Sequence, residues 1–296
     1  MTNAANDKLK AGYANTQTGA LTTETSRTDT TFNTIVALRV PIIINTGETI
    51  EALRRIESGK QLTIATHGPD DGELLMVNID GIEVTILNIP HPAPIGTFDR
   101  AAHPNFFWPT AQNDLKAHSA HVFIVARDNS VDARDVPMKC ARVLTALTAA
   151  IASITPTIGV YWPASENLVD KAFYLRAVRE SNREDRQPLE VWIRLYVSVA
   201  AAHQGNAEQI TVATRGLRRY AGRDLEMSSA EESIDTLLVQ IFQIANYLTE
   251  GVSRFADGDT LGGGERTERL VHLSDQGILG DGPVYQVITN STTRDR

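Results

Sequence analysis

The chain has 296 residues, 42% hydrophobic and 22% charged, the proportions of an ordinary globular protein, with room for one large domain or two of moderate size. A formal charge of -8 and a pI near 5.4 argue against general nucleic-acid binding, which needs a basic face. No apolar run approaches the roughly 20 residues that cross a bilayer, the Thr-rich N-terminus has no apolar signal core, and a single cysteine, Cys140, permits no intrachain disulfide, so a cytoplasmic protein is expected.

Residues 1–32 are rich in Thr, Asn, Ala and Ser and read as a disordered polar tail, because they cannot bury enough apolar surface to offset ordering entropy. Ile35 to Ile44 predicts a first strand. Thr46-Gly47-Glu48-Thr49 opens a helix running to about Ser58, with Ile50, Leu53 and Ile56 on its apolar face and Gly59 as its stop. Leu62 to Thr66 is a weaker strand, followed by the turn-rich Gly68-Pro69-Asp70-Asp71-Gly72. Leu74–Ile79 and Ile82–Ile89 flank Asp80-Gly81, the pair preferred in a two-residue type I′ hairpin. Residues 90–107 form an irregular loop with Pro90, Pro92, Pro94, Gly96 and Pro104. Trp108 to Ala117 reads as a helix and His121 to Ala126 as a strand. Without the weak strand, this half reads β-α-β-β-α-β, a ferredoxin-like split arrangement.

Residues 132–173 are the organising stretch. Val136, Cys140, Val143, Leu144, Leu147, Ile151 and Ile154 recur at steps of three and four, on one stripe of a helix that Asp132 or Asp135 can cap and Pro156 stops. Ile158-Gly159-Val160-Tyr161-Trp162 is a short, nearly continuous apolar run, the pattern of a strand covered on both faces. Glu166 to Arg179 predicts a second helix. Further on, Leu189 to Ala200 reads as one long alternating strand, paired with Gln209–Ala213 beyond the loop at Gly205-Asn206. A helical turn at Gly216–Tyr220 leads to a strand at Leu225–Met227. Ser229-Ala230-Glu231-Glu232 has the form of a capping box for a helix carrying Ile234, Leu237, Leu238, Ile241, Phe242, Ala245 and Leu248, with Gly251 as its stop. Arg269–Leu273 and Val284–Ile288 are the last strands. The fold class is therefore α+β with mixed sheets: a tail at 1–32, an N-terminal half at 33–131, and a C-terminal half at 132–290 packed on it. The renewed alternation is compatible with a duplicated unit, although no sequence repeat supports one.

Several pieces carry a family likeness. They are Trp108-Pro109, Ala117-His118-Ser119-Ala120-His121-Val122, Gly159-Val160-Tyr161-Trp162, Pro188-Leu189 with Trp192, Thr214-Arg215-Gly216-Leu217, Gly222 with Leu225-Glu226, and Asp257-Gly258-Asp259-Thr260-Leu261-Gly262. In that order they resemble the bacterial DUF4261 family, a domain of unknown function, over roughly residues 70–290. The resemblance implies no assigned activity, no catalytic residues and no cofactor.

Two constellations could carry chemistry. Asp114, His118 and His121, at i, i+4 and i+7, would present three ligands for a single divalent metal on one helical face, unless His121 already begins a strand; helix-end packing is the competing reading. His91, His103, Asn105, Trp108, Trp162 and Glu166 occupy loops that could gather at a sheet edge as an aromatic-walled pocket for acid–base work on a small substrate. The ordinary alternative is half-buried loop ends. The glycine-rich Asp257–Gly264 lacks the Lys-Ser/Thr of a phosphate loop and the EF-hand ligand pattern, and reads as a turn. Arg215 to Arg223 is the one basic cluster and suits either an anionic ligand or pairing with neighbouring carboxylates. Cys140 lies on the buried stripe, where thiols are usually inert. Asn290-Ser291-Thr292 matches a glycosylation acceptor in a chain with no recognisable secretion signal. Without a nucleophile elbow, paired metal-protease histidines or a dinucleotide-binding glycine pattern, the leading expectation is a non-catalytic interaction or accessory module, an immunity-type protein being one form of it. It would bind another protein or itself, with no cofactor, nucleic acid or membrane. The alternative is an enzyme built on the His/Trp/Glu pocket.

Overall fold

A computed structural model describes residues 31–67, 72–128, 136–200, 209–250, 254–262 and 269–289. The tail up to residue 30, the turn at 68–71, the caps Asp132 and Asp135, Gly205-Asn206, Gly251, Gly263-Gly264 and the Asn290 acceptor lie outside the described residues. The architecture is α+β, with helices packed on two separate sheets.

The chain opens with β1 (Thr31–Leu38), whose Phe32, Thr34 and Val36 alternate into the core. It begins earlier than Ile35 and stops well short of Ile44. Proline at position 41 has no N–H to give a ladder, and Ile43 beyond it is exposed. Helix α1 (Thr46–Ile56) starts at Asn45, whose side chain accepts from the Glu48 amide at 3.0 Å. Strands β2 (Ile64–His67), β3 (Leu74–Ile79) and β4 (Ile82–Ile89) follow. Asp80 and Gly81 have φ of 52° and 87°, the double positive φ of the predicted hairpin turn.

Between β4 and β5 (Ala120–Asp128) the expected single helix at 108–117 is broken up. Only α2 (Asp99–Ala102), α3 (Ala111–Asp114) and a 3-10 turn at Leu115–Ala117 form, because this segment lies against the sheet and spends Ala101, Trp108, Ala111 and Leu115 on it. Helix α4 (Val136–Ile154) is longer-sided than one stripe: Ala141, Thr145, Ala149 and Ala152 are buried as well, since β1 and β5 cover one side and α1 and α5 (Lys171–Glu184) flank the others. By length and composition α4 could cross a membrane, but its apolar surface is used on these neighbours. Strand β6 (Thr157–Trp162) is buried at every position, as its apolar run implies.

Two expectations beyond β6 need correction. Glu166 does not start a helix: it is a left-handed residue (φ 53°) after a 3-10 turn, and the chain then forms β7 (Asn167–Asp170), paired antiparallel with β6. The helix begins only at Lys171, because the Asp170 carboxylate caps the Phe173 amide at 2.8 Å. Likewise Leu189 does not begin a strand. Leu189–Trp192 is a helical turn, α6, and β8 runs from Arg194 to Ala200. Leu189, Val191, Trp192 and Ile193 are all buried, which a half-exposed strand cannot achieve.

The second sheet comprises β8, β9 (Gln209–Arg215), β10 (Asp224–Ser229), β11 (Thr260–Leu261), β12 (Arg269–Ser274) and β13 (Val284–Thr289), with α7 (Arg218–Ala221) and α8 (Ile234–Thr249). Ser233 caps α8 through the Thr236 amide. The Ser229 hydroxyl instead accepts from Glu231 and Glu232 in the preceding turn, so the predicted capping box sits one turn too early.

The first sheet has the order β2-β3-β4-β5-β1-β6-β7 and every adjacent pair is antiparallel. A split ferredoxin-like sheet would set a parallel strand beside β1, whereas here β1 lies between β5 and β6 and opposes both. The second sheet, β11-β12-β13-β10-β9-β8, contains a parallel pair, β10 and β13. Sheet membership changes after β7, so β6 and β7 complete the first sheet from beyond residue 131. One core runs from the first sheet through α4 to Trp192 and the second sheet, and a smaller one lies on the opposite face under residues 93–115.

Candidate functional site

The smaller core is where most of the expected site residues land, and they act there as fastenings. The indole of buried Trp108 donates to Asp114 Oδ2 at 2.8 Å, and the Thr110 hydroxyl donates to the same oxygen at 2.6 Å. Those bonds, Thr110 first, hold the Asp114 carboxyl below its usual range. Asn105 donates to the carbonyls of Ala101 and Leu168 and accepts from the Trp108 amide. His118 Nε2 accepts from the Ala93 amide at 3.1 Å, which puts the ring proton on Nδ1, within 2.5 Å of the Leu115 carbonyl. His121, buried in β5, donates from Nδ1 to the His91 carbonyl at 2.8 Å.

The three expected metal ligands therefore do not share a helical face. The helical turns end at Ala117, β5 begins at Ala120, and the proposed donors are spent on other partners. Among the described residues no three His, Cys, Asp or Glu side chains gather as a metal cluster.

Nor does the expected acid–base pocket assemble. Tyr161 and Trp162 are neighbours on β6 and point to opposite faces. Tyr161 joins Trp108 and Phe98 in the smaller core, while Trp162 packs 6.5 Å from Trp192 in the main one. His91 and His103 are exposed on the loop. Glu166 lies at the junction of the sheets. Its carboxylate pairs with the Arg215 guanidinium, stands 3.4 Å from Arg100, and accepts from the Tyr196 hydroxyl at 3.4 Å.

That junction is a polar joint. Arg194, 6% exposed, donates to the carbonyls of Arg100, Pro104 and Glu166, and its guanidinium lies 4.6 Å over the Tyr196 ring. Arg215 also pairs with Asp281 at 2.8 Å. The other arginines of the basic cluster reach apart: Arg218 to the Asp281 carbonyl, Arg219 over the Phe32 ring, Arg223 to the Ser274 carbonyl at 2.8 Å. They tie strands together and form no continuous basic patch. Buried Asp224 accepts from the Leu217 amide at 2.8 Å and from Thr214, and burial pushes its carboxyl up to about 6. Asp257 and Asp259 accept from the Leu273 and Ala256 amides, which makes 256–259 the expected turn. Burial, then the nearby Asp128 charge, pushes the Cys140 thiol up to about 11, where it is no nucleophile at neutral pH.

A cleft of about 440 Å³ opens elsewhere, between the ends of α1 and α5, the first half of α4 and the β3–β4 turn. Leu53, Val143, Val178 and Trp192 contribute apolar walls, Lys139 and Arg142 stand in its lining, and none of the sequence-expected site residues lines it. Nothing local in the sequence marks this cleft, because its walls come from segments more than a hundred residues apart. Comparison of the chain with protein-family models, with curated proteins and with solved structures returned no match.

Proposed function

We propose that this protein is a non-catalytic interaction or accessory module of the bacterial cytosol that acts by binding another protein or a second copy of itself. The observation that supports this reading is the commitment of four of the candidate reactive groups: Asp114, His118, His121 and Glu166 each hold a loop or a sheet junction in place, while His91 and His103 stand exposed on the loop. A general acid or base must reach a substrate proton, and these groups face backbone amides, carbonyls and guanidinium ions instead. The acidic net charge and the single, buried cysteine accord with a cytosolic setting.

Native mass spectrometry of the protein, gently purified from its own host, tests the reading. A stoichiometric protein partner or a homodimer is expected. A monomer that retains a metabolite and converts it on incubation would overturn it.

A further inference from the structure

We propose that β8 pairs edge to edge with the β8 of a second copy of this chain, joining two six-stranded sheets into one continuous sheet; the proposal deepens the interaction-module reading and rests on it. A strand at a sheet edge leaves a row of backbone N–H and C=O groups without a neighbour, and proteins usually shorten, charge or cover such strands. The other three edges are short or covered. β2 and β7 have four residues each, and β11 has two. Asn167, Leu168 and Val169 of β7 are also buried, and the Leu168 carbonyl accepts from Asn105 at 2.7 Å. β8 has seven residues, and among the described residues no strand lies on its outer side. From Leu195 to Ala200 it carries no charge and no proline, and Ser198, Val199 and Ala200 are exposed.

The side chains select an identical strand as the partner. Val197 and Val199 lie opposite Val212 and Ile210 of β9, on the face that packs under α8. Val199 is nonetheless 49% exposed, because nothing covers that face beyond the edge. The adjoining flank of α8 is apolar too. Gln240 bonds Glu232, which pairs with Arg269 of β12, so that side of the helix looks toward β12. Leu238 and Phe242 stand on the opposite flank, toward β8, and are only half-buried. Thr236 to Thr249 contain no charged residue, although the open side of a surface helix is ordinarily polar or charged. Antiparallel pairing about a two-fold axis sets the valines of one β8 beside those of the other and closes about four ladder bonds over Val197–Ala200. It also brings both α8 flanks to the new seam. On a chain of net charge -8, two copies meet most readily where neither presents a carboxylate, and this strip is such a place.

Sedimentation velocity of the full chain over a concentration series tests this. A monomer–dimer equilibrium is expected. Val199→Lys sets two like charges close to the axis and should raise the dimer dissociation constant about tenfold or more. Val239→Lys makes the same change on the exposed outer side of α8 and should leave that constant within about twofold. Hydrogen exchange at the amides of Val197–Ala200 should slow as the unmodified chain is concentrated, a readout that does not depend on how a variant folds. A monomer at every concentration, or a dimer indifferent to Val199→Lys, would overturn the β8 pairing. The interaction-module reading fails separately, in the native mass measurement: a stoichiometric protein partner of another kind there would uphold it after the β8 pairing had failed.

Discussion

The Trp108 ring occupies the space that a side chain at Gly159 would need. A Cβ at Gly159 would fall 2.5 Å from ring carbon Cζ3 and 2.9 Å from the Val169 carbonyl oxygen. The contact joins the loop segment to β6, and the same indole is anchored by Asp114. Gly159→Ala must therefore displace a buried aromatic ring and press on backbone. A loss of about 1–3 kcal/mol is expected, the usual cost of overpacking a core. Urea unfolding checks it, with a shift in tryptophan emission as the ring moves; unchanged stability would refute the contact.

Asp224 gives the protein a pH dependence of unusual sign. Burial raises its carboxyl to about 6 in the folded chain, against about 3.9 unfolded. Between those values the native state binds the proton that the unfolded state has released, so stability contributed here falls as pH rises. The contribution is fully present below about pH 4 and lost above about pH 6, and a displacement of this size corresponds to roughly 3 kcal/mol. Asp224→Asn keeps an oxygen for the Leu217 amide and does not titrate. The stability difference, variant minus wild type, should therefore grow between pH 4.5 and 7; a flat difference in urea melts at those two values would contradict the burial argument.

His118 is expected to matter for the loop and not for a metal. Its Nε2 accepts from the Ala93 amide and its Nδ1 faces the Leu115 carbonyl, so neither nitrogen is open. Chelator should leave the melting temperature unchanged. His118→Ala should cost about 1 kcal/mol and speed hydrogen exchange at the Ala93 amide. A melting temperature that falls with chelator and recovers with Zn²⁺ would show that the ring rearranges to ligate.

Much of the local structure was legible in short stretches of sequence. The Asp80-Gly81 hairpin, the doubly covered β6 and the body of α8 form as their residues predict, and the α4 stripe is buried from Val136 to Ile151, with Val143 half-buried and Ile154 left exposed at its end. Each is written in a local pattern: turn dihedrals, side-chain periodicity, a short apolar run, a chain-stopping proline. Boundaries were less legible. Asp170 rather than Glu166 starts α5, and Ser233 rather than Ser229 starts α8, because several residues nearby could cap and packing chose between them.

The metal-like spacing of Asp114, His118 and His121 misled for a related reason. Helical spacing aligns side chains only while the helix lasts, and here the backbone turns into β5 before the third residue.

The sequence alone determined the fold class of the protein and the elements that local periodicity can write: alternating faces for strands and three-and-four spacing for helices. Only the tertiary structure decided what those elements bring together. Glu166 meets Arg215 across 49 positions, Arg194 reaches the Arg100 carbonyl across 94, and the cleft draws its walls from Leu53 to Trp192. Such pairings follow from which faces bury against one another, a property of the whole packed chain that no window of neighbouring residues contains.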